Sequence, residues 1–127
     1  MRFMMLVKSA ENCGPPPKEL MEAIWQSGHA AAKAGQMIES GGLKPSVMSA
    51  RVQLRAGKVT ALDGPFSEAK EIVGGFAIFE FNSMKEAVES AKDFMELHRK
   101  YWPGWQGETE VRPLFDKDDF LAGTHNK

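Results

Sequence analysis

Asp63-Gly64-Pro65-Phe66-Ser67-Glu68-Ala69-Lys70-Glu71 runs directly into Ile72-Val73-Gly74-Gly75-Phe76-Ala77-Ile78-Phe79-Glu80-Phe81, and this passage from turn to strand decides the reading of the fold. Pro65 fixes its own φ and keeps Gly64 out of the helical region, while Gly64 tolerates backbone angles closed to other residues. The chain therefore bends sharply at Asp63-Gly64-Pro65. From Gly75 to Phe81 the residues are aromatic, β-branched or small, with Phe76, Ile78 and Glu80 on one face and Ala77, Phe79 and Phe81 on the other. A strand apolar on nearly both faces belongs in the middle of a sheet.

Upstream, Phe3 to Val7 is a second continuous apolar strand. Ser9 to Pro17 carries Asn12-Cys13-Gly14 and three prolines, which exclude helix and make a loop bordering the end of that strand. From Lys18, the positions Leu20, Ile24, Ser27 or Gly28, and Ala31 follow helical spacing, and the helix ends at Gly35. Trp25 is read as its anchor, the small residues permit close approach to a sheet, and His29 falls on the polar side. Met37 to Ser40 is a short strand and Gly41-Gly42 a bend. Residues 50 to 62 form a hairpin, with Val52 and Leu54 facing inward, that leads into the turn at Asp63.

Downstream, Asn82 or Ser83 caps a second helix, with Glu86 completing an S-x-x-E pattern. Its inward stripe is Ala87, Val88, Ala91, Phe94, Met95 and His98, and it runs to about Lys100. Tyr101-Trp102-Pro103-Gly104-Trp105-Gln106-Gly107 interrupts it, and Glu108 to Leu114 is extended. Residues 1–115 thus make one α+β domain, followed by a charged tail over 116–127. The order β-α-β-hairpin-β-α-β matches a ferredoxin-like antiparallel sheet with two helices on one face. The other face needs a cover, most simply the same face of a second subunit.

The chain has 127 residues, 16 basic against 17 acidic and 43% hydrophobic, a composition that gives no charge argument for nucleic acid or membrane as a partner. Its N-terminal apolar run is shorter than a signal-peptide core, and a cytoplasmic location is expected. Cys13 is the single cysteine, so no intrachain disulfide forms. His29, His98 and His125 lack metal-binding spacing, and neither a metal nor another cofactor is expected.

The Asp-Gly-Pro-Phe tetrapeptide at 63–66, with Ser67-Glu68-Ala69-Lys70-Glu71 and Gly74-Gly75-Phe76, resembles the signature of the DGPF branch of YCII-related proteins, and the resemblance extends to Leu114. It implies a ferredoxin-like subunit paired into a dimeric α/β barrel. Members of the wider group carry a histidine in the first half of the first helix; here that position falls close to Ile24. His98-Arg99-Lys100-Tyr101-Trp102-Pro103-Gly104-Trp105 resembles the H-x-x-x-W-P-G-W segment of one subset. Histidine suits proton transfer near neutral pH, so His98 is the candidate acid-base and Asp63 the group that orients it or the substrate. Phe66, Lys70, Trp102 and Trp105 complete a crevice suited to a small planar acid or lactone. The alternatives are ordinary: Asp63 bonding its own turn, the charged run solvated, and His98 packed in the core beside tryptophans.

The expectation is a homodimer binding a small molecule. The leading reading is a cofactor-free isomerase or lyase; the alternative is a non-catalytic sensor or accessory protein, and a third is a purely structural dimeric module without a ligand-sized pocket. Some DGPF-type proteins are encoded with alternative sigma factors, which links the second reading to sigma-factor regulation.

Overall fold

A computed structural model describes residues 1–116 and residue 119. Most of the expected tail, including His125, lies outside the described residues. Six strands and two helices follow in the order β1 (Arg2–Ser9), α1 (Lys18–Lys33), β2 (Met37–Gly42), β3 (Ala50–Arg55), β4 (Lys58–Asp63), β5 (Ile72–Glu80), α2 (Met84–Tyr101) and β6 (Gly107–Pro113). Four of them make an antiparallel sheet in the order β2-β5-β1-β6. With the β3–β4 hairpin set aside, this is the ferredoxin-like order, and the α+β architecture is as expected.

The two central strands pair Phe3 with Phe79 and Met5 with Ala77, which puts Phe3, Met5 and Phe79 on one face. Phe3, Met5, Phe79 and Phe81 pack with Ala87 and Ala91 of α2, and Ala31 of α1 joins from the side. Both helices therefore cover one face, because both apolar stripes meet the same row of sheet residues.

Local chemistry sets the helix ends. The Ser83 hydroxyl accepts the Glu86 N–H at 3.2 Å, and the Glu86 carboxylate accepts the Asn82 N–H at 3.2 Å, one residue earlier than in the usual reciprocal cap. At the end of α1, Gly35 adopts φ +77°, so that its N–H reaches the Ala32 carbonyl and the Gln36 N–H that of Ala31.

Three local features differ from the sequence reading. Gly41 and Gly42 do not form a bend but continue β2, paired with Phe76 and Gly75, because the Phe76 ring occupies the space a side chain at Gly41 would need. The proline-rich loop contains a short 3-10 turn at Glu11–Cys13. Val52 and Leu54 do not face inward within the subunit: β3 and β4 pair only with each other, which leaves Val52, Leu54 and Val59 72%, 71% and 71% exposed on one face of the hairpin. Its two-residue loop has Ala56 and Gly57 both at positive φ, as a tight hairpin with right-handed strand twist requires.

Candidate functional site

The helix-facing side of β5 tapers. Phe81 and Phe79 fill the layer between sheet and helices, but Ala77 and Gly75 follow on the same side. The neighbouring strands keep the space open, since Gly75 pairs with Val7 on one side and Gly42 on the other, and Ala77 pairs with Met5 and Ser40. The bulky residues hold α1 and α2 off the sheet at one end, and small residues leave the other end unfilled.

The result is a cavity of about 930 Å³ between α1, α2 and the sheet. Ile24, Gly28 and Ala31 line it from α1, and Ser90, Asp93 and Phe94 from α2. Met21, Trp25 and His29 also border it from α1. Trp25 does not anchor the helix as expected: it is 68% exposed and stacks on His29, with ring centroids 5.1 Å apart and planes 7° from parallel. Thr109 reaches the cavity from β6, its hydroxyl 3.1 Å from the Met95 sulfur. Ser27, His29, Gln36, Ser40, Ser90, Asp93 and Thr109 are thus the polar groups among mostly apolar walls.

None of the site residues expected from the sequence lines this cavity. Those from the end of α2 come together as a packed cluster. His98 is 6% exposed, its Nδ1 lies 3.0 Å from the Phe94 carbonyl oxygen, and its ring sits between Phe94 at 4.8 Å and Trp105 at 4.5 Å. Trp102 stacks on Trp105 at 5.9 Å and donates its backbone N–H to the His98 carbonyl. Trp105 in turn covers Gly107, where an added Cβ would lie 2.3 Å from the indole.

The residues of the Asp-Gly-Pro-Phe turn form another group. Asp63 is the exposed last residue of β4, paired with Ala50, and Lys70 is exposed between the turn and β5. Gly64 passes so close to Ser46, the first residue of a short 3-10 turn over Ser46–Met48, that a Cβ would stand 1.6 Å from the Ser46 carbonyl oxygen, and the Gly64–Pro65 bond is cis. Buried Ser46 ties the turn down: its hydroxyl donates to Glu11 at 2.5 Å and accepts the Phe66 N–H at 3.0 Å, while its own N–H donates to the second Glu11 oxygen at 2.5 Å. These bonds hold the Glu11 carboxyl below its usual range, the Ser46 hydroxyl contributing most. The Arg51 guanidinium lies 3.9 Å over the centre of the Phe66 ring and pairs with Glu68 at 2.7 Å. Among the described residues, no hydrogen bond or ring contact joins this group to the tryptophan cluster.

Sequence reasoning missed the cavity because its lining carries no motif. The signal was present as size: Gly75, Ala77 and Phe79 follow along one face in increasing volume, and Phe81 continues it. Among the described residues, no three His, Cys, Asp or Glu side chains gather in a way that could hold a metal ion. No helix among them is long and apolar enough to cross a membrane.

The YCII-related domain family matches residues 1–98. An uncharacterized protein of Rhizobium meliloti is 33% identical over 82 residues, which is 65% of this chain and 62% of that protein. The chain therefore aligns with less than two thirds of that relative. Among solved structures, the 5-chloro-2-hydroxyhydroquinone dehydrochlorinase of Burkholderia phenoliruptrix, in complex with 2,5-dihydroxybenzoquinone, is 19% identical with a TM-score of 0.40, covering 93% of this chain and 97% of that one.

Proposed function

The chain belongs to the YCII-related family, and from that premise we propose that it binds a small, largely apolar and partly aromatic molecule in the cavity between α1, α2 and the sheet. The observation that carries this reading is the taper from Phe79 to Gly75 beneath two helices held apart by the larger residues. A volume of about 930 Å³ suits such a ligand, since small-molecule sites span about 300–1,000 Å³ and combine apolar walls with few polar groups. His29 is the cavity group suited to exchanging a proton with a bound molecule near neutral pH, as an isomerase or lyase without a cofactor would require. His98 has a positioning role in this reading: it bonds the carbonyl of Phe94, whose residue forms part of the cavity wall. A non-catalytic ligand sensor would use the same cavity.

The test is calorimetric titration with 1-naphthalenemethanol, a neutral aromatic probe. Saturable binding to the wild type and its loss in Gly28→Leu, which places a side chain into the cavity from α1, support the reading. Equal binding by both proteins would move the site elsewhere.

The exposed face of the hairpin favours assembly as a homodimer. Val52, Leu54 and Val59 form an apolar strip, and the half-buried Met4, Leu6, Phe76 and Ile78 lie on the sheet face turned away from the helices. A second copy of the chain would cover both. Light scattering at micromolar concentration should give twice the chain mass of 14.1 kDa; a monomer would rule this out.

A further inference from the structure

We infer that the cavity selects against anions and takes a neutral or cationic aromatic molecule, with Asp93 as the group that recognises its donor end. The inference rests on the proposed ligand site and adds the charge class of what binds there. Among the described residues lining the cavity, Asp93 is the one carboxylate, and no lysine or arginine is present to meet a carboxylate or phosphate. Asp93 is on α2, one residue before Phe94, so its carboxylate stands beside an aromatic wall. It makes no hydrogen bond or ion pair with another described residue, and its acceptor capacity is open to a ligand. Across the opening, the Trp25 and His29 rings stack, and the negative face of an indole attracts a cation for the same reason that it repels an anion. The neighbouring polar groups, Ser90 and Thr109, adapt to either charge and do not reverse the preference. A small planar acid, one of the two ligand types the sequence suggested beside a lactone, would lose hydration without meeting a lysine or arginine.

The experiment compares three probes of one shape by calorimetry: 1-naphthylmethylamine, 1-naphthalenemethanol and 1-naphthoate. The expected order of affinity is amine, then alcohol, then acid, with about two- to fivefold between the first two, since an ion pair to an exposed carboxylate is weak. Asp93→Asn should bring the amine to the level of the alcohol while leaving the alcohol unchanged, and added salt should weaken only the amine in the wild type. If the alcohol binds but the acid binds as well as the amine, the charge preference is wrong and the cavity remains the site. If Asp93→Asn leaves the amine's advantage intact, Asp93 is not the recognising group. If none of the probes binds, the site itself falls, and the charge preference with it.

Discussion

The turn around Ser46 and the cavity beneath α1 are built on opposite terms. At the turn, every close approach is specified: Gly64 has no room for a side chain, the Ser46 hydroxyl is used both as donor and as acceptor, and Glu11 receives two hydrogen bonds. In the cavity, the backbone is equally regular, but the floor at Gly42, Gly75 and Ala77 carries little or no side chain and Asp93 has no partner among the described residues. The most distinctive peptide in the sequence thus holds three loops together, while the proposed ligand cavity is lined by residues that resemble ordinary packing positions. A sequence signature and a ligand site need not coincide.

The contrast is broken most severely at Gly64. Gly64→Ala should destabilise the protein by about 3 kcal/mol or more, because a Cβ 1.6 Å from the Ser46 carbonyl forces the backbone apart. Denaturant unfolding measures this, and a change within about 0.5 kcal/mol would show that the turn is not tightly specified. Ser46→Ala comes next, at about 1–3 kcal/mol, since it removes the donor to Glu11 and the acceptor of the Phe66 N–H together. An unchanged unfolding midpoint would mean that water replaces the hydroxyl without loss.

On the cavity side, Gly28→Leu should leave stability unchanged or raise it by up to about 1 kcal/mol, because a helix interior favours leucine over glycine and an added Cβ meets only the flexible end of Met37, at 3.4 Å, on the edge of the cavity. A large loss in the same unfolding experiment would mean that the cavity is closed in solution. The smallest effect concerns acid. The Glu11 carboxyl is held low in the folded protein, so its contribution is complete above the unfolded value of about 4.3 and is lost as pH falls through the lower folded value. The stability difference between wild type and Glu11→Gln should therefore shrink between about pH 5 and strong acid. A difference that grows on acidification would contradict the bonding around Ser46.

The sequence made the sheet legible because alternation and helical spacing are direct records of burial: Phe79 and Phe81 against Phe76 and Ile78, and the stripe from Ala87 to His98, lie as expected. The Gly41-Gly42 strand was not legible, since glycine usually marks a bend and the Phe76 ring that requires it comes from 35 residues further on, as the register between Gly41 and Phe76 shows. The hairpin's separation from the four-stranded sheet was equally hidden, because Val52 and Leu54 alternate just as a strand within that sheet does. For the site, the expected residues were chosen by chemical type. His98 has ring contacts with Phe94 and Trp105, Arg51 lies over the Phe66 ring, and neither His98 nor Phe66 lines the cavity. Cavity position depends on relative side-chain volume across three strands and two helices, which no single stretch records.

The central claim is that a small molecule binds beneath α1 and not at the Asp-Gly-Pro-Phe turn, and backbone amide shifts during titration with 1-naphthalenemethanol test it most directly. Changes concentrated at Gly28, Gly42, Gly75, Ala77 and Thr109, which line the cavity, are the predicted result. Changes concentrated at Gly64 to Lys70 or at Trp102 to Trp105, with the cavity amides unmoved, would contradict it.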